Sequence, residues 1–71
     1  MMFEAYGKIN KRVFIGLFDS IEEAIKECEL HYKTKTYGYK PDLKWFVGQS
    51  YAMGKIVDRV IFNITYVGNR L

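Results

Sequence analysis

Apolar residues recur with two different periods along this 71-residue chain. In "RVFIGLF", residues 12–18, Val13, Ile15 and Leu17 alternate with Phe14, Gly16 and Phe18. Successive strand side chains point to opposite faces, so residues 3–9 and 12–18 are predicted as two strands joined by a tight turn near Asn10 and Lys11. The second is apolar on both faces, as in an interior strand or one covered on each side.

From Ser20 the period changes. Ile21, Ala24, Ile25, Cys28 and Tyr32 recur at helical spacing, while Glu22, Glu23, Lys26, Glu27 and Glu29 lie largely away from them. Ser20 followed three residues later by Glu23 is a capping box, and Lys33 and Lys35 at the far end suit the helix dipole. One amphipathic helix over about residues 20–34 is predicted. Gly38 and Pro41 break it, and Tyr39 and Lys40 fall in the loop that follows.

Alternation then returns. Residues 43–53 read as a third strand, with Trp45, Val47, Gln49, Tyr51 and Met53 on one side and Phe46, Gly48, Ser50 and Ala52 on the other. Gly54-Lys55 reads as a turn. In the last strand Val60, Phe62, Ile64 and Tyr66 are expected in the core, and Arg59, Ile61, Asn63, Thr65 and Val67 toward water or a partner.

The predicted order is β-β-α-β-β, an α+β fold in which a small antiparallel sheet of about four strands packs one face on one amphipathic helix. The opposite sheet face stays open, and function is expected there. Arg12, Phe14 or Phe18, Arg59, Asn63, Thr65 and either Trp45 or Gln49 are its candidate residues.

Composition narrows the class. The chain is short enough for one domain and, at 49% hydrophobic and 17% aromatic, too apolar for a disordered segment. No apolar run reaches a membrane span, and "MMFEAYGKINKR" has charges where a signal peptide is apolar, so a cytoplasmic protein without a membrane partner is expected. A single cysteine excludes an internal disulfide and agrees with a reducing compartment.

Charge is unevenly placed. Five of the eight acids lie within residues 19–29 beside one base, Lys26, and outside that window ten bases face three acids. A basic remainder of this kind favours an anionic partner. The stretch "YKTKTYGYKPDLKWF", residues 32–46, interleaves Lys33, Lys35, Lys40 and Lys44 with aromatic rings. Exposed Tyr37, Tyr39 or Trp45 would stack bases while those lysines neutralise phosphates. The alternative is that Tyr37, Trp45 and Phe46 plug the end of a small core.

Catalytic and metal-binding patterns are not found, and neither an enzyme nor a cofactor is expected. Cys28 lies on the apolar stripe, where a free thiol behaves as a small hydrophobe, and Cys28 with His31 supplies too few ligands for zinc. The helix acids read as its solvated face. The six glycines are scattered singly, without a phosphate-cradling loop.

"KRVFIGLFDSIEEAI", residues 11–25, resembles the strand-to-helix segment of the ethylene-response-factor type DNA-binding domain and the related arm-binding domains of phage integrases. In that family a basic strand ends in Leu-Gly-x-Phe-Asp-Thr before x-Glu-Glu-Ala-Ala; Ile15-Gly16, Phe18-Asp19-Ser20 and Glu22-Glu23-Ala24 stand in those places here. The resemblance implies a sheet face laid in a DNA major groove, with Arg12 and Lys11 at the matching basic positions. That family has three strands before its helix, whereas two fit here.

The first functional reading is therefore a small non-enzymatic module that binds nucleic acid through a basic, aromatic sheet face and loop. Its contacts are Lys11, Arg12, Lys33, Lys35, Lys40, Lys44 and Arg59 for phosphates and Tyr39 or Trp45 for stacking. The alternative is a small effector of phage or mobile-element origin that docks on a host protein and modulates it. A homodimer is the third, since one helix cannot cover the apolar residues on both sides of several strands.

Overall fold

The computed structural model describes residues 2–9, 11–35 and 42–68; of Lys35 it describes the backbone alone. Its elements are β1 (Met2–Lys8), β2 (Arg12–Phe18), α1 (Ile21–Lys35), β3 (Lys44–Val47), β4 (Tyr51–Ile56) and β5 (Arg59–Gly68). The predicted α+β class holds, with one difference among the described residues: the sheet has five strands, ordered β2-β1-β5-β4-β3 and antiparallel at every pairing. The first and last strands thus pair near the middle, and α1 belongs to the connection from one sheet edge to the other.

The extra strand comes from splitting residues 43–53. The chain turns over Gly48, Gln49 and Ser50, where the Gly48 N–H donates to the Tyr51 carbonyl at 2.8 Å. The predicted face assignment does not survive this turn, because Trp45 and Val47 come to lie beside Gly54 and Ala52, and Phe46 beside Met53. Gly54-Lys55, expected as a turn, lies inside β4; the turn is Val57-Asp58, in which Val57 takes a φ of 55°. A β-branched residue is strained in that region.

Helix α1 begins with Ser20 as its cap. Ser20 Oγ accepts the Glu23 N–H at 3.2 Å and its carbonyl accepts the Ala24 N–H at 3.2 Å. Ala24, Cys28 and Tyr32 are buried against Phe3, Ala5, Ala52, Ile61, Phe62 and Ile64, with Ile15, Phe18, Ile21, Ile25 and Trp45 packed around them.

Phe62 is the hub of this core. Its cross-strand partners are Gly7 on β1 and Gly54 on β4. Both glycines are needed for contact: a Cβ on Gly7 would stand 2.9 Å from the Phe62 ring, and one on Gly54 would meet Trp45 at 3.1 Å and Phe62 Cβ at 3.2 Å. Trp45 therefore reaches across Gly54 and stacks on Phe62 at 5.8 Å, while Tyr32 and His31 meet the same ring edge-on.

Two bulges change which residues face the core. β1 and β2 shift register between Ala5 and Tyr6, which leaves Ile15 unpaired and packed with the core. The shift between Gly54 and Lys55 leaves Ile61 as the unpaired residue of β5. Ile61, expected to face out, is consequently buried, and Val60, expected in the core, is 38% exposed. One extra residue in a strand is enough to reverse the alternation.

Candidate nucleic-acid interface

Cross-strand pairing sorts the sheet face opposite the helix into rows. Phe14, Tyr6, Asn63, Met53 and Phe46 form one, each the partner of the next across β2, β1, β5, β4 and β3. Leu17, Glu4, Thr65 and Tyr51 form the row toward the end where β2 finishes. At the other end Arg12 opposes Lys8, and Lys44 opposes Lys55.

Those two cation pairs stand level. Lys8 follows Gly7 and Lys55 follows Gly54, and both glycines are partners of Phe62. Arg12, Lys8, Lys55 and Lys44 therefore make one band across the sheet, interrupted at β5 by Val60. Four inter-strand spacings make it about 19 Å wide. Glu4, two residues from the aromatic row, is the sole acid in these three rows.

Rings brace part of the band. The Arg12 guanidinium lies 3.9 Å from the Tyr6 ring centroid, and Tyr6 meets Phe14 edge-on at 5.3 Å. Lys55 Nζ lies 5.4 Å from the Phe46 centroid at the other side. Phe14 and Phe46 remain half exposed, at 51% and 50%.

The structure brings some of the anticipated residues together. Arg12 and Lys44 are in the cationic band, and Phe14, Asn63 and Thr65 share its face. Lys11 in the β1–β2 connection and Arg59 opposite Ile56 are exposed near the same end of the sheet. Lys33 is exposed on α1, beside a cleft of about 560 Å³ that Lys26, Glu29 and Asp42 also line, so two acids balance two bases there. Tyr37, Tyr39 and Lys40 lie outside the described residues, as does the Lys35 side chain.

Trp45 lies on the helix side. Its indole N–H donates to the Glu29 carboxylate at 3.1 Å, which ties β3 to α1. Phe18 is on the helix side as well, packed at the edge of the core. The sequence pattern did not single out Lys8, Lys55, Tyr6 or Phe46 for the site. Tyr6 and Lys8 share one parity in β1, a local clue, but the β4–β5 bulge and the 48–50 turn were needed to put Lys55 and Phe46 beside them.

Cys28 is buried, and that burial, helped by the charges of Glu27 and Glu29, pushes its thiol from 9.0 up to about 12. The unfolded chain releases this proton near pH 9 whereas the folded chain keeps it, so raising the pH above that point favours unfolding. Stability should fall by about 1.4 kcal/mol per pH unit through this window. Urea midpoints measured from neutral pH to about pH 11 should show a shallower alkaline decline for Cys28→Ala than for the parent chain. Equal declines would remove Cys28 as the cause. No group of three or more potential metal ligands occurs among the described residues, and no helix there is long and apolar enough to cross a membrane.

Comparison with protein-family models finds no match, and comparisons with curated proteins and with solved structures find none either.

Proposed function

We propose that this chain is a small non-enzymatic module that binds nucleic acid on the open face of its sheet. The observation that carries the reading is the band formed by Arg12, Lys8, Lys55 and Lys44. Like charges directly opposite one another across strands destabilise a sheet, and here this happens twice at the same level. A polyanion laid along the band would offset that repulsion and release its own counterions. Lys11 and Arg59 near the same end extend the positive field, so that six bases stand there against two acids, Asp42, which lines one cleft with Lys44, Phe46 and Lys55, and Asp58 in the β4–β5 turn.

The stretch that resembles ethylene-response-factor type domains spans β2 and the opening of α1, and its Arg12 belongs to the band. The basic position of the resemblance and the cationic band therefore share one sheet face.

Binding should be steeply salt-dependent. Four neutralised phosphates give a log–log slope of about −2.8 for a single strand to −3.6 for a duplex, a loss of roughly 50- to 150-fold between about 50 and 200 mM salt. Fluorescence anisotropy with a labelled mixed-sequence DNA, offered as single strand and as duplex, measures it. No binding of either form at the lower salt would end this reading and turn attention to a protein partner for the exposed Phe14, Leu17, Phe46 and Tyr51.

A further inference from the structure

We infer that the occupant of this face is a single strand, whose phosphates follow the cationic band while its unstacked bases lie on Phe14 and Phe46. The inference rests on the nucleic-acid reading and adds the strand state and the role of the aromatic row.

The spacing of the two rows supports it. Band and aromatic row are two residues apart along β1 and β3, as Lys8 to Tyr6 and Lys44 to Phe46. That is about 6.8 Å of strand. A backbone running across the β-strands over the band thus holds its phosphates on one side and extends its bases toward the rings. In a duplex the bases are paired and stacked inside, and half-exposed rings have no base face to cover. A free strand supplies those faces.

The two rings are also placed for separate bases. Phe14 is on β2 and Phe46 on β3, the opposite edges of the sheet, with Tyr6, Asn63 and Met53 between them. Tyr6 is covered in part by Arg12, which leaves Phe14 as the more open ring of that pair. Asn63, exposed at the centre of the row, brings an amide with both donor and acceptor to a base edge. Glu4 lies one row further on and disfavours a second line of phosphates there.

Anisotropy titrations with one labelled 12-mer as a single strand, as its duplex, and as an abasic single strand of equal charge test this on the unaltered chain. The intact single strand should bind at least about tenfold tighter than the duplex, and the abasic strand should lose roughly 5- to 150-fold, one stacking contact's worth or more. Phe14→Leu and Phe46→Leu, both at half-exposed positions outside the core, should each weaken the intact strand and leave the abasic strand unchanged. Equal or tighter binding of the duplex, or an abasic strand as good as the intact one, would overturn the single-strand inference while the nucleic-acid reading stood. Failure of all three ligands at low salt would overturn both.

Discussion

Phe62→Ala is expected to abolish the cooperative unfolding transition, leaving a chain that is unfolded without denaturant. A buried phenylalanine truncated to alanine costs about 3–5 kcal/mol. A core in a domain of this size rarely supplies more than about 3–5 kcal/mol of net stability. The loss is aggravated because Gly7 and Gly54, the two cross-strand neighbours, have no side chains with which to fill the space. Trp45 would lose its stacking partner, and Tyr32 and His31 the ring they meet edge-on. Urea titration followed by circular dichroism checks this, with Phe62→Leu as the companion that should still unfold cooperatively at a lower midpoint. A folded Phe62→Ala chain would show that the rings around this position are not what holds sheet and helix together.

Reversing one charge in each cation pair should separate binding from stability. In the double variant Arg12→Glu, Lys44→Glu each cross-strand repulsion becomes an attraction, because a carboxylate then faces Lys8 on β1 and another faces Lys55 on β4 across the same registers. Opposite charges so placed are worth about 0.2–1 kcal/mol per pair, against a similar penalty for like charges. The loss of the Arg12 guanidinium from the Tyr6 ring takes back about 0.5–1 kcal/mol at an exposed site. The fold should therefore be at least as stable as the parent. Affinity for DNA should fall by two to three orders of magnitude at about 50 mM salt, since the band no longer carries net positive charge. Thermal denaturation and anisotropy on the same preparation give both quantities. Retained affinity would place the polyanion elsewhere on the molecule; a variant that unfolds would mean that the pairs are not as exposed as their positions indicate.

The helix and the pairing of the first two strands were legible because their signals are local, but β2, whose two apolar faces suggest a covered strand, is an edge of the sheet with Phe14 and Leu17 exposed. Ser20 with Glu23 marks a helix start within four residues, and the stripe from Ile21 to Tyr32 repeats every turn. The open sheet face was legible too, since a single amphipathic helix covers one side of a sheet. Arg12, Asn63 and Thr65 were expected on it, and they are there, whereas alternation left Phe14 and Phe18 as alternatives and the structure puts Phe14 on that face and Phe18 on the helix side. Lys8, Lys55, Tyr6 and Phe46 were missed, because what makes them a site is level alignment across strands distant in sequence.

The same division explains the errors. Gly54 followed by lysine looks like a turn, and nothing local says that Trp45 needs a residue without a side chain in order to reach Phe62. Val60 and Ile61 exchange roles through one unpaired residue in β5, and its presence depends on the register against β4. By itself the sequence determined the α+β class, the boundaries of α1 and the first hairpin, and the excess of bases outside the helix. The pairing of the first strand with the last, the two bulges and the cationic band were decided only in the tertiary structure, because period-2 alternation specifies which residues share a face but not which strand lies beside which.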